Sequence, residues 1–370
     1  MSKKLVALVV PGSGIHLHRI VNPLAYMPKQ DNLDIQLVLT GPDEMNLECD
    51  ILFYNKWTFG MTPEQVQAMQ AKGTKVVVDV DDHWEYPSSH PRYDVMVNTK
   101  LNEVTIAHIR LANVVTCTTE RLAVEIRKLN PKVVVIPNAL PFDRDHYTVG
   151  DRVKAREISA NDKTRFMYLA GMTHREDVKI LDGKFNRIGS DVELQKKAQF
   201  ILCGYQKTSV AVYHTKEDAQ AKNGNYTIRD TPGEWDHMAN TFRRTKSFII
   251  YPSIDVEHYL NYYDSADVAI VPLKSSTWNS MKSELKLIEA GCKHIPVICS
   301  ATAPYTDAVH FKNEGVMMIE KPDEWLKYIK YCTNNPNFVK EQGQRLYSWT
   351  KDIYDLIKVN KLREEVFNSL

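Results

Sequence analysis

Asp267-Val-Ala-Ile-Val-Pro-Leu-Lys-Ser-Ser-Thr-Trp-Asn-Ser-Met-Lys282-Ser283-Glu284-Leu285-Lys286-Leu-Ile-Glu289-Ala-Gly291, followed by Ile295-Pro-Val-Ile298, is the stretch that decides the fold. The apolar run 268–271 predicts a buried parallel strand, residues 272–279 the loop at its carboxyl end, and 280–290 the helix that follows. A helix start offers unpaired N–H groups and a partial positive charge, so this geometry suits a phosphate group. A diphosphate would dock where Ser280, Met281 and Ser283 lie, with Lys282 adding a full charge and Asn279 closing the loop. Glu289, two turns further on, carries a carboxylate able to accept hydrogen bonds from both hydroxyls of a ribose. The competing reading is an amphipathic surface helix whose Lys and Glu are simply solvated.

Working outward, short Val- and Ile-rich runs at 5–10, 35–39, 51–54, 75–80, 114–117 and 133–136 predict a first parallel sheet. A polar stretch through Asp162 reads as a linker. Runs at 166–170, 199–203, 247–250, 268–271, 297–299 and 315–319 predict a second sheet. The expected class is α/β, with two doubly wound Rossmann-like domains facing across a cleft. Their expected bounds are 1–145, a linker 146–164, and 165–347, with the end of the chain helical.

Composition agrees. At 370 residues the chain is too long for one ordinary core, and 43% hydrophobic with 25% charged residues is globular. A formal net charge of +1 gives no broad basic footprint of the kind a strong nucleic-acid binder shows. No run of eighteen apolar residues predicts a membrane span, and Met-Ser-Lys-Lys lacks the apolar core of a signal peptide, so a cytoplasmic protein is expected. The six cysteines are scattered without a Cys-x-x-Cys, which predicts reduced core residues rather than zinc ligands or disulfides.

The pattern Asn279-x-x-Lys282-Ser283-x-Leu285-Lys286-x-x-Glu289-x-Gly291, read with Pro296-Val297, resembles the donor-binding signature of GT-B glycosyltransferases, specifically the retaining family 4-like (group 1) proteins. In their commonest branch a second glutamate stands eight residues before the ribose-binding one. Here that position is Met281, which points to the variant subgroup with Lys-Ser in this loop, a pattern similar to that of phage-borne enzymes. The resemblance implies transfer of a sugar from a nucleotide diphosphate donor, UDP in the first instance, to an acceptor hydroxyl. It implies no catalytic metal and no cofactor beyond the donor as cosubstrate. A hydroxymethylated base in DNA is the acceptor suggested by the phage likeness; a glycan or small molecule is the other. It further implies that 348–370 crosses back to brace the first domain.

Ligands of such sheets sit beyond the carboxyl ends of the strands. After the first strand, Pro11-Gly12-Ser13-Gly14-Ile-His16-Leu-His18-Arg19 is a glycine turn into a helix that would face His16, His18 and Arg19 into the cleft. The resemblance implies that this loop approaches sugar and acceptor, with those three on the acceptor side and Gly14 near the donor. Leu17 stands where a dinucleotide fingerprint needs its third glycine, so a nicotinamide-dependent oxidoreductase is poorly matched. His18 reads either as a general base or acceptor ligand, or as a histidine packing its helix.

Asp79, Asp81, Asp82 and His83 cluster after another strand. Asp81, Asp82 and His83 read as acceptor-side ligands or helix caps, and all four alternatively as a metal site of a hydrolase. In the second half, Gly171 turns the chain; the resemblance implies that this loop meets the donor phosphates, with His174 or Arg175 stabilising charge on the departing diphosphate, while Thr173 and Glu176 fit a capping box. Tyr251 is a candidate platform for the nucleobase. Thr119 reads as a helix cap, and Asn138 after the sixth strand resembles the interdomain Pro-Asn of that family. The long connection 205–246 carries seven cations (Lys207, Lys216, Lys222, Arg229, Arg243, Arg244, Lys246) against five acids, a mild excess. A donor-binding relative without turnover is the remaining alternative.

Overall fold

The computed structural model describes residues 2–39, 47–56, 61–156, 162–206, 209–213, 226–230, 233–309 and 314–370. Two six-stranded sheets organise the chain. The first has the order β2-β1-β3-β4-β5-β6, with β1 Lys3–Val9, β2 Leu33–Leu39, β3 Ile51–Asn55, β4 Lys75–Val80, β5 Val114–Cys117 and β6 Val133–Val135. The second has the order β11-β8-β7-β12-β13-β14, with β7 Thr164–Leu169, β8 Ala198–Tyr205, β11 Phe248–Pro252, β12 Val268–Val271, β13 Val297–Ser300 and β14 Val316–Ile319. Every pairing in both sheets is parallel. The chain is therefore α/β with two doubly wound units, as the twelve apolar runs predict.

The runs are continuous rather than alternating because helices cover both faces of each sheet. Leu8, Leu52, Val76 and Val78 pack to one side of the first sheet with Leu122 and Ile126, while Leu5, Ala7, Ile51 and Val77 pack to the other. Burying each such side chain contributes roughly 1.5–3 kcal/mol. In both sheets the strand order reverses beside the first strand of the unit, β1 or β7, so a crevice opens at the carboxyl ends.

The connection after β8 contains an antiparallel hairpin, β9 Ser209–Tyr213 with β10 Tyr226–Asp230. Lys207, Lys216 and Lys222 of its charge count lie outside the described residues. The end of the chain is helix Glu324–Asn334, then Pro336–Tyr354, then Leu356–Asn368. Ser348 lies within the second of these; the crossing begins at Asp355, which bridges Leu140 and caps the last helix through the N–H groups of Ile357 and Lys358. Leu356, Val359, Val366 and Phe367 enter the core of the first domain, where the Phe367 ring meets Phe53 edge-on at 5.4 Å.

Candidate functional site

A cleft of about 860 Å³ lies between the carboxyl ends of the two sheets. A hollow of about 1040 Å³ near Arg152, Thr164 and Pro336 is larger, but it sits at the amino ends of β7 and β12, away from the ligand-binding edge.

The first loop leaves β1 through Gly12, whose φ of +68° is open to glycine at little cost. Ser13 accepts from the His16 N–H, and His16 Nδ1 accepts from the Val10 N–H at 3.1 Å. His16 is thus spent on fastening its own loop and does not face the cleft, a correction to its acceptor role. Residues Leu17–Val21 form a widened helical turn that buries both His18 and Arg19. Arg19 gives a fork to Asp79, Nη2 to Oδ1 at 2.7 Å and Nε to Oδ2 at 3.0 Å, and its remaining Nη1 donates to the Ile136 carbonyl and Asn138. Each of the two charges is 1% exposed. Arg19 touches the cleft floor, but four of its five N–H donors are engaged within the first domain, so what it visibly does is hold these loops together.

The carboxylate cluster is divided up in the same way. Asp79 also accepts from Thr116 and Asn55; Asp81 pairs with Lys56 at 2.9 Å; Asp82 reaches Lys282 of the other domain at 3.3 Å. Burial works against charge on Asp81, yet the neighbouring Lys56 prevails and its carboxyl lies below the usual range. His83 turns away, stacking on Trp84 and accepting from the Glu85 N–H. The set offers no shared donors for an ion, and among the described residues no three His, Cys, Asp or Glu are arranged to hold one. Asp81 and Asp82 line the cleft; Asp79 and His83 do not.

In the second domain Gly171 and His174 line the cleft, but Arg175 turns outward to Glu234 at 3.3 Å. The expected capping box is absent: helix Arg175–Val178 has no side-chain cap. Asp177 instead joins the loops, accepting from His174 Nδ1 (2.8 Å), the Lys274 N–H (2.7 Å) and Asn279 Nδ2 (2.9 Å). Burial lowers the His174 pKa, with Asp177 opposing.

The helix predicted over 280–290 is broken. A short turn, Thr277–Ser280, capped by Ser276, is followed by a loop, and the helix proper is Leu285–Cys292. Its amino terminus therefore faces the cleft at Ser283, Leu285 and Lys286 rather than at Ser280. Asn279 is buried in the loop, donating to Asp177 and the Lys274 carbonyl; Met281 packs against the first domain's core. Neither they nor Ser280 line the cleft. Lys282 does, held between Asp82 and the Trp278 ring, 3.8 Å from its centroid. Asn138 donates to Ser283 Oγ at 2.7 Å, and Thr119 caps its helix as expected.

Glu289 is 1% exposed at the cleft's base. Its Oε1 accepts from Tyr259 (2.7 Å), and its Oε2 from Lys286 (2.7 Å) and Tyr263 (3.1 Å). His18 Nε2 lies 2.7 Å from the same Tyr259 hydroxyl. Burial lowers the His18 pKa to about 4, so the imidazole is neutral near pH 7 and a weak base. Tyr251 stacks on Tyr262, rings 5.5 Å apart, outside the cleft; residues 253–256 form the adjoining edge instead. Tyr259 and Asp177 carry no motif and escape sequence reasoning. Lys286 lies within the quoted signature, where its place three positions before Glu289, one helical turn away, was the available signal.

No protein-family model matches the sequence, and no curated protein does. Solved structures match the fold over the whole chain. A sucrose-phosphate synthase from Thermosynechococcus elongatus aligns with TM-score 0.68 at 12% identity, covering 99% of this chain and 98% of that one. Anabaena HepE in complex with UDP and glucose aligns with TM-score 0.66 at 12% identity over 100% of both chains. An alpha-glucosyltransferase in complex with UDP aligns with TM-score 0.58 at 12% identity, covering 99% and 100%. At such identity the likeness is one of architecture: the chain has the GT-B fold.

Proposed function

We propose that the protein is a glycosyltransferase that moves a sugar from a UDP-linked donor to an acceptor hydroxyl. The observation that carries this reading is the helix Leu285–Cys292, which presents its amino terminus, Ser283 and Lys286 to the cleft and Glu289 at the cleft's base. One end suits a diphosphate and the other a ribose diol, in the order in which a nucleotide carries them. The UDP bound by similarly folded proteins supports the choice of nucleotide.

The roles follow from the geometry. The helix start, Lys286 and Lys282 take the diphosphate charge, so that cationic side chains and N–H dipoles do the work elsewhere given to a metal. His174, oriented by Asp177, lines the cleft from the loop after β7, close enough to feel the charges of Lys282 and Lys286, and from there it would stabilise the departing phosphate as an imidazolium. On the acceptor side the charges of Arg19 and Asp81 are already paired inside the protein. That favours an uncharged glycan or polyol over a hydroxymethylated DNA base, whose flanking phosphates call for several uncommitted cations.

The test is thermal stabilisation by UDP-, GDP-, ADP- and CMP-linked sugars, with and without EDTA, on wild type and Glu289→Ala. A UDP-selective shift, insensitive to EDTA and lost in the variant, is expected; no shift with any donor sinks the reading. Met281, packed into the first domain where the commonest branch of the resembling family has a glutamate, favours a second reading of donor binding without transfer. Assay of sugar transfer to a panel of glycans, polyols and hydroxymethylated DNA separates the two.

A further inference from the structure

Tyr259 belongs to the second domain, in the turn Tyr259–Ser265, yet its hydroxyl meets both domains. It has one proton to give. The Glu289 carboxylate, paired with the Lys286 ammonium, accepts from that hydroxyl, so the 2.7 Å contact to Oε1 takes the proton. The other 2.7 Å contact, to His18 Nε2, then requires the imidazole to donate. His18 therefore carries its proton on Nε2 and leaves Nδ1 without a protein partner. The three side chains form a directed chain, His18 to Tyr259 to Glu289, from the glycine loop of the first domain to the carboxylate at the base of the cleft. Lys286 and Tyr263 reach Glu289 from within the second domain alone.

We infer that Tyr259 is a positioning residue that makes nucleotide occupancy at Glu289 and closure of the first domain onto the second a single event. The inference rests on the donor reading above. A ribose diol needs the Glu289 carboxylate held in one orientation, and Tyr259 is the donor fixed at both ends. The His18 bond that fixes it exists only while the first loop lies against the second domain. Closure thus orders the carboxylate, and a bound ribose stabilises closure by the same free energy, because coupling between two equilibria is reciprocal. Lys286, a quarter exposed, is the donor that a ribose hydroxyl displaces at Oε2, which releases its ammonium toward the diphosphate.

Tyr259→Phe keeps the ring and removes the hydroxyl. UDP affinity by calorimetry and solution scattering with and without UDP are measured on wild type, Tyr259→Phe, His18→Phe and the double variant. Wild type should become more compact with UDP. Tyr259→Phe should bind UDP roughly tenfold more weakly, as for loss of a hydrogen bond to a charged group, and fail to compact. His18→Phe should fail to compact as well, and the double variant should be no weaker than Tyr259→Phe, since both changes cut one chain. A purely structural hydroxyl would lower the melting temperature and leave compaction intact. Wild-type UDP binding with an equally tight, equally compacting Tyr259→Phe overturns the inference alone. Wild type that binds neither UDP nor any nucleotide sugar overturns the donor reading together with it.

Discussion

Lys282 and Asp82 face each other from different domains, Nζ 3.3 Å from Oδ2, with the Trp278 ring beneath the same ammonium. The cation proposed for the donor's diphosphate is thus partly spoken for by an acceptor-side carboxylate, and the two must compete for it. Asp82→Asn releases Lys282. Because a partly exposed pair is worth ~1 kcal/mol or less, melting temperature should change little while UDP affinity rises up to roughly fivefold at low salt. Calorimetry at two salt concentrations checks this; unchanged affinity at both would mean that Lys282 never meets the phosphates.

Asp79 behaves differently, although it belongs to the same stretch of sequence. Asp79→Ala strands the Arg19 guanidinium in the interior without its carboxylate, and loss of one partner of a buried pair costs about 3–5 kcal/mol. Urea denaturation should show a loss of that size. A loss below about 1 kcal/mol would mean that Arg19 reaches water when its partner goes.

His174 sets a pH dependence of binding. Burial holds its pKa below the ordinary 6.5, and Asp177 takes its Nδ1 proton, so a proton on Nε2 exists only in the imidazolium. A diphosphate nearby stabilises that form and raises the pKa in the complex. Binding therefore takes up a proton, and affinity rises as pH falls from above the complex's pKa to below the unliganded one. Calorimetry in buffers of different ionisation enthalpy should report proton uptake at pH 6.5 in wild type and none in His174→Gln. Equal uptake in both would remove His174 from the phosphate site.

The twelve strands of the two parallel sheets were legible because buried parallel strands are written as unbroken apolar runs, and the ligand edge followed from their carboxyl ends; the hairpin β9–β10 was not read from the sequence. Side-chain direction was not legible. His16 and Arg175 were expected in the cleft and are instead bound to the Val10 N–H and Glu234, while Arg19 reaches the cleft with its charge paired to Asp79, partners far away or unmarked in sequence. The break between Ser280 and Leu285 was hidden because nothing in Met-Lys-Ser-Glu opposes helix; the loop is held open by Asp177, about a hundred residues earlier, through Asn279 and Lys274. Tyr259 gave no signal at all, since a tyrosine's role depends on what its hydroxyl reaches.

Gly291 tests whether the donor helix is held in place from behind. By helix propensity alone an alanine there would stabilise by ~1 kcal/mol. Its Cβ, however, would lie 2.9 Å from Thr350 Cγ2 and 3.1 Å from the Leu346 carbonyl and would collide with Thr350 Oγ1 on helix Pro336–Tyr354. Overpacking of this kind costs about 1–3 kcal/mol, so the sign should reverse and Gly291→Ala should melt lower than wild type. Gly183, also helical, meets nothing within 4 Å of its added Cβ, and Gly183→Ala should melt higher. Because Gly291 shares its helix with Lys286 and Glu289, its replacement should also weaken UDP binding, whereas Gly183→Ala should leave it unchanged. Melting curves with and without UDP measure both effects. Equal stability of the two variants would show that the helix can slide away from Thr350, and retained UDP affinity after such a slide would mean that the position of Glu289 is not set by this contact.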